Sequence, residues 1–168
     1  AVGVYAEVGG NPGRKQVMDG ADAYRAHRAD AVVGLGGGAA LDVAKAVALM
    51  AAHPGDILEY AWDHPQVRPM DQPLPHFVAV PTTAGTGSEV GRSSVISDDD
   101  THVKKIIFSP LLLARAVFAD PELTLELPSL ITAALIGLGG VYGAQLAIDD
   151  APLDLAAVFV GAGVLLTL

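Results

Sequence analysis

Two glycine-rich runs hold the residue types from which a phosphate or sugar site can be built. The first, Gly34-Leu35-Gly36-Gly37-Gly38-Ala39, follows the apolar stretch Ala31-Val32-Val33 and precedes a helical pattern. Glycine lets a backbone approach a pyrophosphate with no Cβ in the way. A helix that follows adds unpaired N–H groups and the positive end of its dipole. The spacing satisfies the loose Gly-x-Gly-x-x-Ala dinucleotide pattern. A glycine turn between strand and helix also serves close packing, so the pattern alone leaves both uses open. An acid about twenty residues further on holds the ribose in the usual first strand–helix–strand unit. The nearest candidate here, Asp56, lies beyond a His53-Pro54-Gly55 break, so the unit is not of that usual kind. The second run, Pro81-Thr82-Thr83-Ala84-Gly85-Thr86-Gly87-Ser88-Glu89, places hydroxyls and exposed amides after another apolar stretch. Open α/β sheets bind ligands at the carboxyl ends of their strands. Such a loop can hold a ribose, an amide or a phosphate; a polar capping loop would have the same composition.

Other chemistries are less well supplied. The chain has no cysteine, which excludes disulfides, thiolate–metal sites and cysteine nucleophiles. Its histidines, His27, His53, His64, His76 and His102, form no His-x-x-x-His pair or carboxylate–His helical pair, and His53 and His64 each precede proline. No metal site built from them alone is expected, and no Ser–His–acid constellation is apparent.

At 168 residues, 51% hydrophobic and 17% charged, the chain has room for about one domain with a substantial core. Nineteen acids against ten bases give a net charge of −9 and no clustered basic surface, which argues against a nucleic-acid partner. The absence of cysteine fits a reducing cytoplasm, the expected location. The first seven residues lack the basic start and long apolar run of a signal peptide, and the chain does not begin with Met. Every Lys and Arg lies at or before Arg115, whereas 129–148 and 155–168 carry no charge. A stretch of that first length can cross a bilayer. It holds four glycines, however, and has acids rather than Lys or Arg at its flanks. A buried helix, or a tail without its packing partner, is therefore preferred to a membrane anchor.

The elements that must position these runs alternate short β-like stretches with helices, the pattern of a parallel sheet covered by helices. Strands are expected at Val2–Ala6, Ala31–Leu35, His76–Val80 and Ala116–Ala119. An antiparallel pair is expected at Val90–Ile96 and Val103–Phe108, with Asp98-Asp99-Asp100 at its turn. One helix is expected over Arg14–Arg28, started by Asn11-Pro12-Gly13, with Val17, Ala21 and Tyr24 on one face. A second is expected over Ala40–Ala52, with Leu41, Ala44, Ala48 and Ala52 as its apolar stripe and Asp42 paired to Lys45 across one turn. The segment Asp56–Pro75 reads as a surface connection.

Taken together, Gly36–Lys45 (Gly-Gly-Gly-Ala-Ala-Leu-Asp-Val-Ala-Lys) and Pro81–Glu89 resemble the iron-containing, or type III, alcohol dehydrogenase family. The landmarks Asn11-Pro12, His102-Val103-Lys104-Lys105 and Asp120-Pro121-Glu122-Leu123-Thr124 do so as well, and they occur in the same order over roughly residues 4 to 134. The resemblance implies a Rossmann-like parallel sheet flanked by helices, an incomplete α/β domain at 1–134, and a divergent hydrophobic tail at 135–168. It also implies a nicotinamide dinucleotide, NAD or NADP, laid across the domain. Gly36, Gly37, Gly38 and Ala39 would wrap the pyrophosphate, and Thr82, Thr83 and Thr86 would line the adenosine and ribose side. Asn11, Ser93 and Lys104 would add contacts. Lys104 would offset phosphate charge on an acidic protein; without the resemblance it reads as a solvated strand-edge lysine.

The family pattern then breaks in two places. The family's preceding strand, helix and strand, with an acid that recognises the ribose, does not occur in this sequence. After Leu130-Ile131-Thr132-Ala133-Ala134, where the family supplies its first iron or zinc ligands, the aligned positions read Leu138 and Tyr142, and the glutamate position reads Gln145. Leucine cannot ligate, and an unactivated phenol substitutes poorly for imidazole. The remaining ligands belong to a later helical domain that this sequence does not reach. The parent activity would interconvert a small alcohol with its aldehyde or ketone by hydride transfer. The expectation for this chain is the cofactor-binding half of that machinery without its metal site, and no catalytic residue is assigned. A nucleotide-binding or subunit-interaction fragment without chemistry is the alternative, and exposed edges predict self-association.

Overall fold

The structure, a computed structural model, describes residues 2–125 and residue 128. They divide between two compact units. The first comprises Ala1–Pro81 with Gly87–Ala119; the second contains Thr82–Thr86 and, of the described residues, those from Asp120 on.

In the first unit, α1 (Arg14–His27) leads to β1 (Ala31–Gly36), α2 (Gly38–Ala52), β2 (His76–Pro81), β3 (Ser93–Ser97), β4 (Lys104–Phe108) and β5 (Ala116–Val117). Strands β1, β2 and β5 form a parallel sheet in the order β1-β2-β5. The register pairs Ala31 with His76 and Gly36 with Pro81, so β1 and β2 end together. β3 and β4 form a separate antiparallel pair, Ser93 opposite Phe108 and Ser97 opposite Lys104, with Asp98–Asp100 at the turn as expected.

Helix α2 is the centre of this unit. Leu41 and Ala44 pack on Phe77 and Ala79 of the sheet. Val43, Ala46, Val47, Leu49 and Met50 pack with Val17 and Ala21 of α1 and with Ile96 and Ile107 of the hairpin. The expected stripe of Leu41, Ala44 and Ala48 is buried, but it is only one of two buried faces, and Ala52 is half-exposed. A helix apolar on nearly every side belongs between layers rather than on a surface. Gly34 permits that sandwich: a Cβ there would lie 2.9 Å from Ala44 Cβ and 3.1 Å from both Leu41 and Phe77 side-chain carbons. The second unit contains the Thr82–Thr86 loop and a short 3₁₀ turn, Pro121–Thr124, capped by the Asp120 carboxylate accepting from the Glu122 N–H at 2.9 Å.

Several expectations are corrected. Val2–Ala6 forms no strand; Val2 and Val4 are exposed, while the Tyr5 hydroxyl donates to the Gln16 carbonyl at 2.9 Å, which ties the segment to α1 and not to a sheet. Asn11 does not cap α1. Gly13 is the N-cap residue, its N–H donating to Gln16 Oε1 at 3.1 Å, and the Lys15 N–H is met at 2.8 Å by Asp99 from the hairpin turn. α2 begins at Gly38, two residues before the expected Ala40. The strand expected from Val90 starts at Ser93 because Ser88–Val90 forms a 3₁₀ turn, and the one expected to reach Ala119 ends at Val117. No described helix is long and apolar enough to cross a membrane, and the uncharged tail at 135–168 lies outside the described residues.

Candidate functional site

The turn between β1 and α2 owes its shape to Gly36, whose φ of 144° L side chains rarely adopt; a Cβ there would also lie 2.7 Å from Ala40 Cβ. Gly37 follows as the N-cap residue in extended conformation. No side chain caps α2 and no acid stands in its first turn. The contrast with α1 is informative, because that helix receives both Gln16 and Asp99 at its start. The α2 terminus therefore presents N–H groups and a positive dipole end with no carboxylate capping them, the arrangement that receives a phosphate.

Ala39, in this first turn, lines a cavity of about 180 Å³ together with Gly10, Asn11, Pro12, Asp42, Val95, Ser97 and Lys104. Three sequence-predicted residues from separate elements thus meet here: Asn11, Ala39 and Lys104. Asn11 is held in place by its neighbour, since the Ser97 N–H donates to the Pro12 carbonyl at 2.8 Å. Lys104 opens β4 and is exposed, with no carboxylate ion-pair partner among the described residues. Its neighbour Lys105, by contrast, is paired with Asp63 at 2.7 Å. Asn11, Ser97 and Lys104 also border a larger groove of about 700 Å³ that runs past Gly13, Lys15 and His102.

Gly36, Gly37 and Gly38 shape the turn and are not among the residues lining either cavity. Ser93 stands at the other end of β3 from Ser97 and lines neither; its carbonyl accepts from Lys45 Nζ at 2.8 Å. In the second unit, Thr82 and Thr83 are half-buried and Thr86 is exposed, and Thr83 Oγ1 is a buried hydroxyl with no partner among the described residues. Asp56 is already engaged, its carboxylate taking Arg14 at 2.6 Å and the Leu58 N–H at 3.0 Å.

Sequence reading missed Asp42 and Ser97 as cavity residues. Asp42 carried a signal: it lies three residues after Ala39 and so shares its helix face. Ser97 carried none, because only the hairpin's docking brings it near.

Among the described residues no three His, Asp or Glu side chains converge as a metal site would require. Buried His53 is bonded instead to Leu49 O at 3.2 Å and the Gln72 N–H at 3.1 Å. The described residues alone therefore do not supply the ligand set of an iron or zinc centre. The aligned ligand positions Leu138, Tyr142 and Gln145 lie outside the described residues.

The family model for iron-containing alcohol dehydrogenase matches residues 1–121. The chain belongs to the iron-containing alcohol dehydrogenase family. It is 42% identical over 135 residues to 4-hydroxybutyrate dehydrogenase of Cupriavidus necator, covering 79% of this chain and 35% of the relative. Among solved structures it resembles a 1,3-propanediol oxidoreductase, with TM-score 0.76 and 35% identity over 85% of this chain and 36% of that one. It also resembles the sulfoacetaldehyde reductase of Bifidobacterium kashiwanohense solved in complex with NAD+, with TM-score 0.72 and 31% identity over 84% of this chain and 38% of the other. The chain thus spans about a third of the length of the relatives it matches. The Rossmann-like α/β fold expected from the motifs is the fold of these neighbours.

Proposed function

We propose that the chain binds a nicotinamide dinucleotide, NAD in preference to NADP, as the cofactor-binding part of an alcohol dehydrogenase. The observation that carries this reading is the uncapped α2 terminus, shaped by Gly36, opening beside a cavity that holds Asn11 and Lys104. The backbone N–H groups of Gly38 and Ala39 would take the pyrophosphate, and Lys104 would offset its charge. The Asn11 amide can donate to and accept from a ribose hydroxyl. For Thr82, Thr83, Thr86 and Ser93 the support is the sequence motif, and the resemblance to a structure solved with NAD+ favours NAD.

Bound nicotinamide supplies the hydride acceptor or donor for interconverting an alcohol and its carbonyl compound. This chain's own residues hold and orient it. The proposal for the whole protein is NAD(P)-dependent alcohol–aldehyde or alcohol–ketone interconversion. Calorimetric titration of the 168-residue chain with NADH and NADPH tests the binding. Saturable NADH binding is expected, weakened several-fold by Lys104→Ala and more so at low salt. Heat of dilution alone for both nucleotides at millimolar concentration would refute the reading.

A further inference from the structure

Lys45 stands one turn beyond the cavity on α2, only 1% exposed, among the alanines and valines of the helix. Removing an ammonium from water is unfavourable, and a long apolar side chain would fill the same volume without that penalty. The charge is met by three acceptors: Ser93 O at 2.8 Å, Ser88 Oγ at 2.9 Å and Asp42 Oδ1 at 3.5 Å. Ser88 passes the bonding on, its hydroxyl donating to Asp42 Oδ1 at 2.7 Å. The other Asp42 oxygen accepts the Val95 N–H at 3.1 Å, and the Asp42 carbonyl accepts the Ser94 hydroxyl at 2.8 Å. One buried network thus joins two turns of α2 to a stretch of chain 43 to 53 residues away in sequence.

The network ends at the candidate site. Asp42 and Val95 line the small cavity beside Ala39, Asn11 and Lys104, whereas Lys45 itself lines neither cavity. We infer that Lys45 is a positioning residue for the dinucleotide site. By holding Ser88 and the start of β3 against α2, it sets the orientation of Asp42 and the spacing between the α2 terminus and the β3–β4 hairpin that carries Lys104. The inference rests on the reading that this cavity receives a dinucleotide. Burial lowers the Lys45 pKa from its usual 10.5, opposed by Asp42 and Glu89. The clasp therefore gives up its proton more readily than a free lysine would.

The test compares the 168-residue chain with Lys45→Met and with Ser88→Ala, which removes only the hydroxyl between Lys45 and Asp42. NADH affinity is followed by fluorescence titration from pH 7 to 10, and backbone hydrogen exchange is measured without ligand. Lys45→Met is expected to weaken NADH binding about tenfold at pH 7, and Ser88→Ala about threefold. Amides from Ser88 to Val95 should exchange faster in both variants, while those of the α1–α2 core stay protected. Wild-type affinity should also fall with rising pH more steeply than that of Lys45→Met. Lys104, Asp42 and Glu89 are the same in both chains, so the difference belongs to Lys45. Equal affinity, equal pH profile or unchanged exchange at 88–95 in the variants would refute the clasp. Absence of NADH binding by the wild-type chain would instead refute the dinucleotide reading, and with it the purpose assigned to Lys45.

Discussion

The two glycines at the end of β1 have different duties, and alanine substitution separates them. Gly34 faces the helix layer, where an added Cβ would lie 2.9 Å from Ala44 and 3.1 Å from Leu41 and Phe77, all buried. Overpacking a filled core costs about 1–3 kcal/mol. Gly36 combines a contact of 2.7 Å to Ala40 with a φ of 144°. Backbone strain of that kind adds about 1–3 kcal/mol for any other residue. At roughly 2–4 °C per kcal/mol for a chain of this length, Gly34→Ala should lower the unfolding midpoint by about 2–12 °C, and Gly36→Ala by at least as much. The functional consequences differ. Relief of the Gly36 contact displaces the first turn of α2, where the phosphate is proposed to sit, so its NADH dissociation constant should rise at least tenfold, or about 1.4 kcal/mol. Gly34→Ala should raise it about threefold or less. Thermal unfolding and NADH titration of the same preparations provide both numbers. If Gly36→Ala is destabilised yet keeps wild-type affinity, the turn serves packing alone and the cradle is refuted.

Asp99→Ala removes the carboxylate that meets the Lys15 N–H and should cost about 1 kcal/mol, as cap removal does elsewhere. An unchanged midpoint in urea would show that Asp99 contributes nothing to α1. The acid side of the stability profile should be set by Asp63, Asp98 and Glu59. A hydrogen bond from Lys105 lowers the pKa of Asp63, one from Thr101 lowers that of Asp98, and the Asp56 N–H followed by Arg68 lowers that of Glu59. A folded pKa below the unfolded one means stabilisation that is complete above the unfolded value, 3.8 for Asp and 4.5 for Glu, and lost as pH falls through the folded value. Urea midpoints should hold steady down to about pH 5 and decline below it; a midpoint unchanged between pH 5 and 2 would contradict this.

Much of the architecture is determined locally. Ala31–Gly36 and His76–Pro81 are short apolar runs closed by glycine or proline, Arg14–His27 repeats its apolar residues at helical spacing, and the three aspartates 98–100 demand a turn. Such features depend on neighbours a few residues apart, which is why the sheet, both helices and the hairpin could be read from the sequence. The glycine turn was likewise legible from its motif, and Asn11, Ala39 and Lys104, named from motif and order, line one cavity. What the residues alone left open was whether Gly34 and Gly36 serve packing or a ligand. Tertiary contact distances assign the first to packing, whereas the second is required by its φ of 144° and by Ala40 whichever use the turn serves.

The remaining features depend on separations of many tens of residues. Asp99 replaces Asn11 at the head of α1 because the hairpin turn lies there in space, 84 residues away in sequence. Val2–Ala6 has the composition of a strand, but a strand exists only when another backbone accepts its hydrogen bonds, and α1 offers a side-on anchor for Tyr5 instead. Lys45 shows the division most clearly. The sequence determined that a cation follows Asp42 at helical spacing. Only the packed structure decided that this cation is buried, because desolvation and the serines that answer it come from layers that meet after folding.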